Sequence, residues 1–176
     1  EWSEWAVKND IDRRIISFLH FKRDYLHGKL ANLNEKNNYP TPRSWHFLSD
    51  LIKNVEDLEL IKELSIGCVG ITAGTEFTAF IELEQKLDIK QYLKNPKLIE
   101  KLKMNEKYAL LNSAINYALE KEKQLKEMIS FYEEYFEKEL WVLLLVFLNR
   151  ELKKKGKDIV DYLNEKQLIS LGNLIF

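Results

Sequence analysis

Helical periodicity with few chain breakers is the feature that most constrains this fold. The 176 residues include three prolines and six glycines, so long uninterrupted segments are available for helices. Along nearly all of these segments, apolar residues recur with the spacing of about 3.6 residues that marks one face of a helix. We find neither the alternating pattern of a strand nor an internal repeat. The sequence therefore predicts an all-α fold.

Polar and glycine-containing stretches divide the first half into candidate helices. Asp10 is a candidate N-cap for a helix that runs to about Gly28, and the Asn-rich residues 29–38 are expected to form a loop. The glycine-rich stretch 66–74 is followed by no Lys-Ser/Thr pair and preceded by no strand, so a phosphate-binding loop is not expected there. We instead predict a helix–helix junction with close backbone approach, and the next helix is expected to begin at Thr75.

The second half of the chain has longer apolar faces. Residues 105–136 are expected to form one long helix or two. Residues 137–160 are nearly all-round apolar as far as Gly156, which indicates a deeply buried helix. The longest apolar run, residues 140–148, is far shorter than the roughly 20 residues that cross a bilayer, so we expect no membrane partner.

Charge and cysteine content exclude several classes of protein. Lys+Arg 27 against Asp+Glu 28 argues against a nucleic-acid partner, which usually demands a basic excess or stripe. The single cysteine, Cys68, excludes an internal disulfide and supports no metal site, so a cytoplasmic setting is expected. The histidines lack metal-ligand spacing. Because the chain begins at Glu1 within a helical pattern, we suspect a fragment of a longer protein.

The stretch YPTPRSW, residues 39–45, has the pattern of a carefully fixed helix start. Proline is favoured at the first helical position, because its missing N–H has no intrahelical partner there. This assignment makes Thr41 the N-cap, Pro42 the first helical residue and Arg43 the second, with Ser44 third.

Arg43 is unusual at this position. A helix N-terminus carries about half a positive charge, so a cation in the first turn is unfavourable by roughly 0.3–1 kcal/mol. A bound anion would reverse that sign, since it would meet free backbone N–H groups, the helix dipole and a guanidinium suited to phosphate. From residue types alone, a surface arginine whose stem lies on Trp45 is the favoured interpretation.

Several motifs resemble one family. YPTPRSWHFLSDLI resembles the sensor-2 helix of MoxR-type AAA+ ATPases, whose lid carries an [ST]-P-R motif. IGCVGITAGTEFTAFI is similar to the segment that follows in one branch, where G-x-V-G precedes an E-F-x-x-F helix. LKNPKL and YALLNSAINYAL continue in the expected order, and EWAVKNDIDRRIISFL resembles the helix leading into the lid. The resemblance covers about residues 2–120.

The resemblance implies a role for the residues at the helix start. In this family the sensor-2 arginine reaches the γ-phosphate of ATP held by the preceding α/β core, and the matching residue is Arg43. Pro42, Arg43 and His46 would then lie at the nucleotide. ATP and Mg²⁺ would be cofactors of the full-length protein, and its partners an upstream P-loop core, neighbouring subunits of a ring and a protein client.

The chain also departs from the family. It has no G-x-x-x-x-G-K-[ST] loop and no Walker-B strand, so it should be inactive alone. The resemblance implies a lid-type domain over residues 1–120. We expect the extended C-terminal helical bundle, residues 121–176, to pack on it or to form one continuous domain with it. A freestanding helical interaction module is the alternative, and a nucleic-acid-binding helical domain is a further rival. Arg13, Arg14 and Arg23 could meet a neighbouring subunit or the core.

Overall fold

The computed structural model describes residues 2–27 and 39–175, and within them it confirms the all-α prediction, since every regular element is helical. The prediction of a helix running to about Gly28 is wrong, since the α-helix that begins at Arg13 ends at Phe21 and a 3-10 turn follows at Arg23–Leu26. Gly28 itself and the predicted loop 29–38 lie outside the described residues. The α-helices are α1 Trp2–Lys8, α2 Arg13–Phe21, α3 Pro42–Ile52, α4 Leu58–Val69, α5 Ile71–Lys86, α6 Ile89–Lys94, α7 Met104–Glu120, α8 Glu122–Tyr135, α9 Lys138–Lys154 and α10 Glu165–Ile175, with 3-10 turns at Arg23–Leu26, Pro96–Lys101 and Ile159–Tyr162.

The N-cap of the second helix is Asp12, so the prediction of Asp10 is wrong. The Asp12 carboxylate accepts a hydrogen bond of 2.9 Å from the Arg14 backbone N–H. Asp10 lies within the preceding turn at a positive φ of 54°. The reason is burial of Ile11, which is 1% exposed and whose N–H bonds the carbonyl of Ala6. The chain therefore completes its turn before α2 can begin.

The glycine-rich stretch forms the predicted helix–helix junction, but the break between the two helices is shorter than predicted. α4 continues through Gly67, and Gly70 alone separates it from α5, with a φ of 87° that favours glycine. The predicted start at Thr75 is therefore wrong, since α5 begins at Ile71. A Cβ on Gly74 would lie 2.6 Å from the backbone nitrogen of Ile66, so this glycine lets the two helices approach closely.

The chain divides into two compact units. The first comprises residues 1–87 and 103–109, and the second residues 88–102 and 110–176, so α7 contributes to both. In the first unit α4 packs mainly on α5 and α3. Its core contains an aromatic cluster, together with buried aliphatic residues such as Ile15 and Leu48. The members of the cluster are Phe18, Tyr25, Trp45, Phe77 and Phe80. The predicted division at residue 120 stays a prediction.

The second unit has an aliphatic core around α9. As predicted, this helix ends just before Gly156, and its buried residues are Leu140, Trp141, Leu143, Leu144, Leu145, Phe147, Leu148 and Leu152. Residues 105–136 form two helices rather than one, since α7 ends at Glu120 and α8 begins at Glu122. α8 packs on α9. None of the described helices combines the length and apolar character that a bilayer span requires.

Candidate functional site

The start of α3 has the geometry that the sequence predicts, residue by residue. Thr41 is the N-cap, and its hydroxyl accepts a hydrogen bond of 3.0 Å from the Ser44 backbone N–H. The Ser44 hydroxyl accepts a reciprocal bond of 2.9 Å from the Thr41 N–H. Pro42 occupies the first helical position. The two bonds form a capping box, which fixes where the helix begins.

Trp45 anchors this first turn in the core of the unit. Its side chain is fully buried, and its indole N–H donates to the carbonyl of Tyr25 at 2.9 Å. The indole ring also lies 5.7 Å from the ring of Phe18 and 5.6 Å from that of Phe77, in tilted and edge-on arrangements. Since Trp45 follows Arg43 by two residues, these contacts fix the direction in which the first turn faces.

A second polar contact holds the segment to which Trp45 is bonded. The Tyr25 hydroxyl donates to the Glu76 carboxylate at 2.8 Å, and Lys22 Nζ lies 3.0 Å from the other oxygen of the same carboxylate. Burial of the phenol, followed by its hydrogen bond to Glu76 and the negative charge there, raises the pKa of Tyr25 to about 12. The phenol therefore stays a donor throughout the neutral range.

Arg14 fixes the opposite end of α3. Its guanidinium donates to both oxygens of Asp12, at 3.0 and 2.7 Å, and to the carbonyls of Ile52 and Val55, at 2.7 and 3.2 Å. Burial acts to lower the pKa of Arg14, but the hydrogen bond and charge of Asp12, together with more distant carboxylates, raise it overall. The Asp12 backbone N–H also donates to the Ser49 hydroxyl at 2.8 Å.

The sequence does not predict these contacts of Arg14. It suggests instead that Arg14 could meet a neighbouring subunit or the core. The partners Ile52 and Val55 lie about forty residues away in sequence, and spacing along a chain carries no signal for such a pair. Only the short Asp12-x-Arg14 pattern offers a local hint. Arg14 is a structural residue that stabilises the C-terminal end of α3.

Arg43, in contrast, lies on the outer face of α3. Its side chain is exposed, and within residues 2–27 and 39–175 no carboxylate forms an ion pair with it. Fewer backbone donors surround it than the sequence suggests, because Pro42 has no N–H and the Ser44 N–H is bonded to Thr41. The Arg43 N–H is the remaining backbone donor of the first three helical positions. An anion here would be held mainly by the guanidinium.

His46 and Pro42, the other residues implied by the resemblance, lie on either side of this arginine in sequence. The His46 ring makes an edge contact with the Trp5 ring, centroid to centroid 5.3 Å, and its Nε2 lies 3.7 Å from the Asp50 carboxylate. No hydrogen bond or ion pair joins His46 to Arg43 among the described residues. Pro42 is half-exposed and shapes the backbone of the first turn.

The same outer face carries apolar side chains that the sequence reasoning did not single out. Phe47 is 60% exposed and Leu51 38% exposed on α3, and Tyr39, just before the helix, is 59% exposed. Phe47 and Leu51 follow Arg43 at intervals of four residues, so the three share one face of the helix. The four-residue spacing could have indicated this exposed face, which lies opposite the buried face of Trp45 and Leu48.

Other candidate chemistry is absent from the part of the chain that the structure describes. Histidine, cysteine and carboxylate side chains form no group of three or more that could hold a metal ion there. Cys68 is half-buried within α4, and burial raises the pKa of its thiol, which lowers its reactivity at neutral pH.

The candidate functional site is therefore the exposed first turn of α3, together with the apolar face of Phe47 and Leu51 that follows it on the same helix. Comparison with other proteins adds no relative, since no protein-family model matches the chain, no curated protein matches it, and no solved structure matches it.

Proposed function

We propose that this chain is the helical lid portion of a MoxR-like AAA+ ATPase and that Arg43 contacts the phosphates of ATP held by a P-loop core of the same protein. The observation that carries the proposal is an exposed arginine, without an ion pair to any described residue, in the first turn of a helix whose two ends are both fixed. A cation kept in this position at an electrostatic cost is accounted for when an anion approaches it.

The backbone geometry favours a sensing role over a binding cradle. A phosphate cradle needs several free N–H groups, whereas the first turn of α3 offers the Arg43 N–H alone, since Pro42 has none and that of Ser44 is used by Thr41. A guanidinium on a fixed helix can instead add one bidentate, charge-assisted contact to a phosphate that other residues hold. This division of labour suits a lid residue acting on a nucleotide bound elsewhere.

The remaining cofactor chemistry is assigned to the core. Mg²⁺ requires oxygen ligands, and the described residues around Arg43 supply no such set, so the metal would be bound by the P-loop core. ATP itself supplies the phosphoryl group that is transferred. Pro42 would preset the backbone that carries Arg43, and His46 would approach the nucleotide only by leaving Asp50 and Trp5. Ring neighbours and a protein client complete the proposed assembly.

The decisive experiment compares ATP hydrolysis by the full-length protein and its Arg43→Ala and Arg43→Lys variants. We expect Arg43→Ala to lower kcat by at least about tenfold, because arginines that stabilise transition-state charge contribute large factors. Arg43→Lys should not restore the rate, since an ammonium cannot form the bidentate contact. Lys62→Ala, which removes an exposed cation from α4, is the matched control and should keep the parental rate. Unchanged turnover in Arg43→Ala would contradict the proposal.

A freestanding helical interaction module is the second candidate, and the exposed Phe47, Tyr39 and Leu51 favour it. Aromatic residues beside an arginine are typical of the strongest contacts in protein interfaces. The coding sequence before Glu1 separates the two candidates. A G-x-x-x-x-G-K-[ST] loop within about 250 residues, the upper size of a single domain, supports the ATPase, and its absence supports the module.

A further inference from the structure

A small cleft in the second compact unit has the features of a binding site, and it is independent of the proposed ATPase function. It has a volume of about 80 Å³ and is partly open to solvent. Its walls come from the end of α7, the start of α8, the end of α9 and the 3-10 turn that follows. Its apolar lining, which we call the floor, consists of Ala118, Leu119, Leu125 and Leu152, together with the ring of Tyr162.

Three lysines line the same cleft. Lys121, Lys155 and Lys157 are all exposed, and no carboxylate is among the residues that the structure places in the lining. Of the carboxylates near Lys155 and Lys157 in sequence, Glu151 of α9 accepts from Lys154 Nζ at 3.1 Å, and Asp158, which follows α9, accepts from the Val160 N–H at 3.1 Å. No ion pair to a described residue neutralises any of the three ammonium groups, so the lining side chains carry three positive charges and no negative charge.

Backbone hydrogen bonds order the main chain at Lys155 and Lys157. α9 ends in a motif in which the Lys157 N–H donates to the Leu152 carbonyl at 3.0 Å and the Gly156 N–H to the Lys153 carbonyl at 3.0 Å. Gly156 takes the required positive φ of 69°. The last carbonyls of α9 are therefore partly satisfied by the chain itself, which leaves the ammonium groups of Lys155 and Lys157 available to a ligand.

The third lysine stands at a helix start that lacks a side-chain cap. Lys121 is the N-cap residue of α8, and its side chain cannot accept a hydrogen bond from the first-turn N–H groups. Leu125, one turn further along α8, lies in the cleft floor. The positive end of the α8 dipole adds to the field of the lysines, whereas the negative ends of α7 and α9, which also line the cleft, oppose it.

We propose that this cleft binds a small organic anion, a carboxylate carried on a short aliphatic stem. The three lysines would bind the carboxylate, and the apolar floor would contact the aliphatic stem. The volume of about 80 Å³ is about half that of cavities that take up benzene, about 150 Å³. Because the cleft is partly open to solvent, it would enclose only part of a five-carbon stem. An inorganic anion would use the lysines and leave the floor empty.

The test uses hexanoate as the probe, with binding followed by amide shifts in proton–nitrogen NMR spectra of the 176-residue chain. We expect saturable shifts confined to residues around Lys121, Leu125, Lys155 and Lys157, and a weaker interaction as salt is added. Acetate should bind about tenfold more weakly, because it lacks the apolar stem. Hexylammonium, which has the stem and the opposite charge, should not bind.

Two triple variants with the same net charge separate the site from general electrostatics. Lys121, Lys155 and Lys157 replaced together by alanine should weaken hexanoate binding about thirtyfold, or about threefold for each exposed charge. Replacement of Lys123, Lys153 and Lys166, which are exposed but outside the cleft lining, should change it less than twofold. Equal losses in the two variants, phosphate binding as tightly as hexanoate, or shifts elsewhere in the chain would each overturn the proposal.

Discussion

Helices α3 and α9 belong to different units of the molecule and are held in place in different ways. α3 is fixed by directed polar contacts, namely the Thr41–Ser44 capping box, the Trp45 indole bond and the Arg14 clamp. α9 is fixed mainly by eight buried, mostly aliphatic side chains, with one indole bond, which Trp141 donates to the Ile129 carbonyl at 3.2 Å. Its N-cap, Glu137, makes no side-chain capping bond. Directed bonds specify an orientation, whereas apolar burial is non-directional and specifies mainly proximity.

The difference fits the features that the two helices carry. A residue that must meet a ligand at a set angle needs a rigid support, and Arg43 has one in α3. On α9 the candidate ligand contacts, Leu152 and the lysines that follow it, lie at the C-terminal end, where the backbone itself supplies the order. Conservative substitutions should therefore be tolerated in α9 and harmful in α3.

Replacement of Trp45 should have the largest effect. Trp45→Ala removes a fully buried indole and should lower the free energy of unfolding by about 4 kcal/mol. Trp45→Phe keeps most of the ring but leaves the Tyr25 carbonyl without its donor, so we expect a loss of about 2 kcal/mol. Urea unfolding followed by circular dichroism measures both. A loss below about 0.5 kcal/mol for the phenylalanine variant would mean that the directed bond does not matter.

The corresponding pair in α9 uses Leu144, which is also fully buried. Leu144→Ala should cost about 3 kcal/mol through the lost apolar contacts and the remaining cavity. Leu144→Met conserves volume and should cost less than about 1 kcal/mol. The same urea experiment gives, at each position, the ratio of the stability lost in the conservative variant to that lost in the alanine variant. This ratio should be smaller at Leu144 than at Trp45. Equal ratios would remove the distinction between the two helices.

The accuracy of the sequence predictions follows the same division between local and distant contacts. The start of α3 was predicted residue by residue because its cap, its proline and its capping partner all lie within four positions. The Asp10 prediction was wrong because burial of Ile11, a tertiary demand, moved the cap to Asp12. The Thr75 prediction was wrong because a single positive-φ residue, Gly70, suffices for the turn.

The candidate sites show the same limit. The exposed cation at Arg43 could be predicted from its place beside Thr41 and Pro42. The cleft could not, because Lys121 and Lys157 are brought together by the packing of α7, α8 and α9, and no sequence motif links the two residues. The basic run at residues 153–157 is typical of a helix end, where cations suit the dipole.

Alkaline titration tests the contact between Tyr25 and Glu76, which is one of the polar contacts of the first unit. The pKa of Tyr25 is about 12 in the folded chain, raised chiefly by burial, against about 10 when unfolded. Between pH 10 and 12 the unfolded chain loses this proton first, so stability falls as the pH rises. We expect Tyr25 to account for roughly 1.5 kcal/mol of that fall, because partial solvation of Glu76 screens the interaction.

The control for this titration is Tyr25→Phe, which cannot ionise at position 25. The difference in unfolding free energy between the parent and the variant should shrink from pH 9.5 to pH 12, whatever the other tyrosines contribute. A constant difference over that range would show that the Tyr25–Glu76 contact does not hold the phenol in its protonated form.

The smallest expected effects lie at the two helix starts. Thr41→Ala removes the side-chain cap of α3 and should cost about 1 kcal/mol. Glu137→Asp keeps the charge at the start of α9 and supplies a shorter acceptor that can reach the first-turn N–H groups, so it should stabilise the chain by about 0.5 kcal/mol. Opposite signs are expected because α3 already has its cap and α9 lacks one. If Thr41→Ala also lowers ATP turnover in the full-length protein without changing Arg43, then the cap serves to aim the arginine, and the polar contacts of α3 matter for orientation as well as for stability.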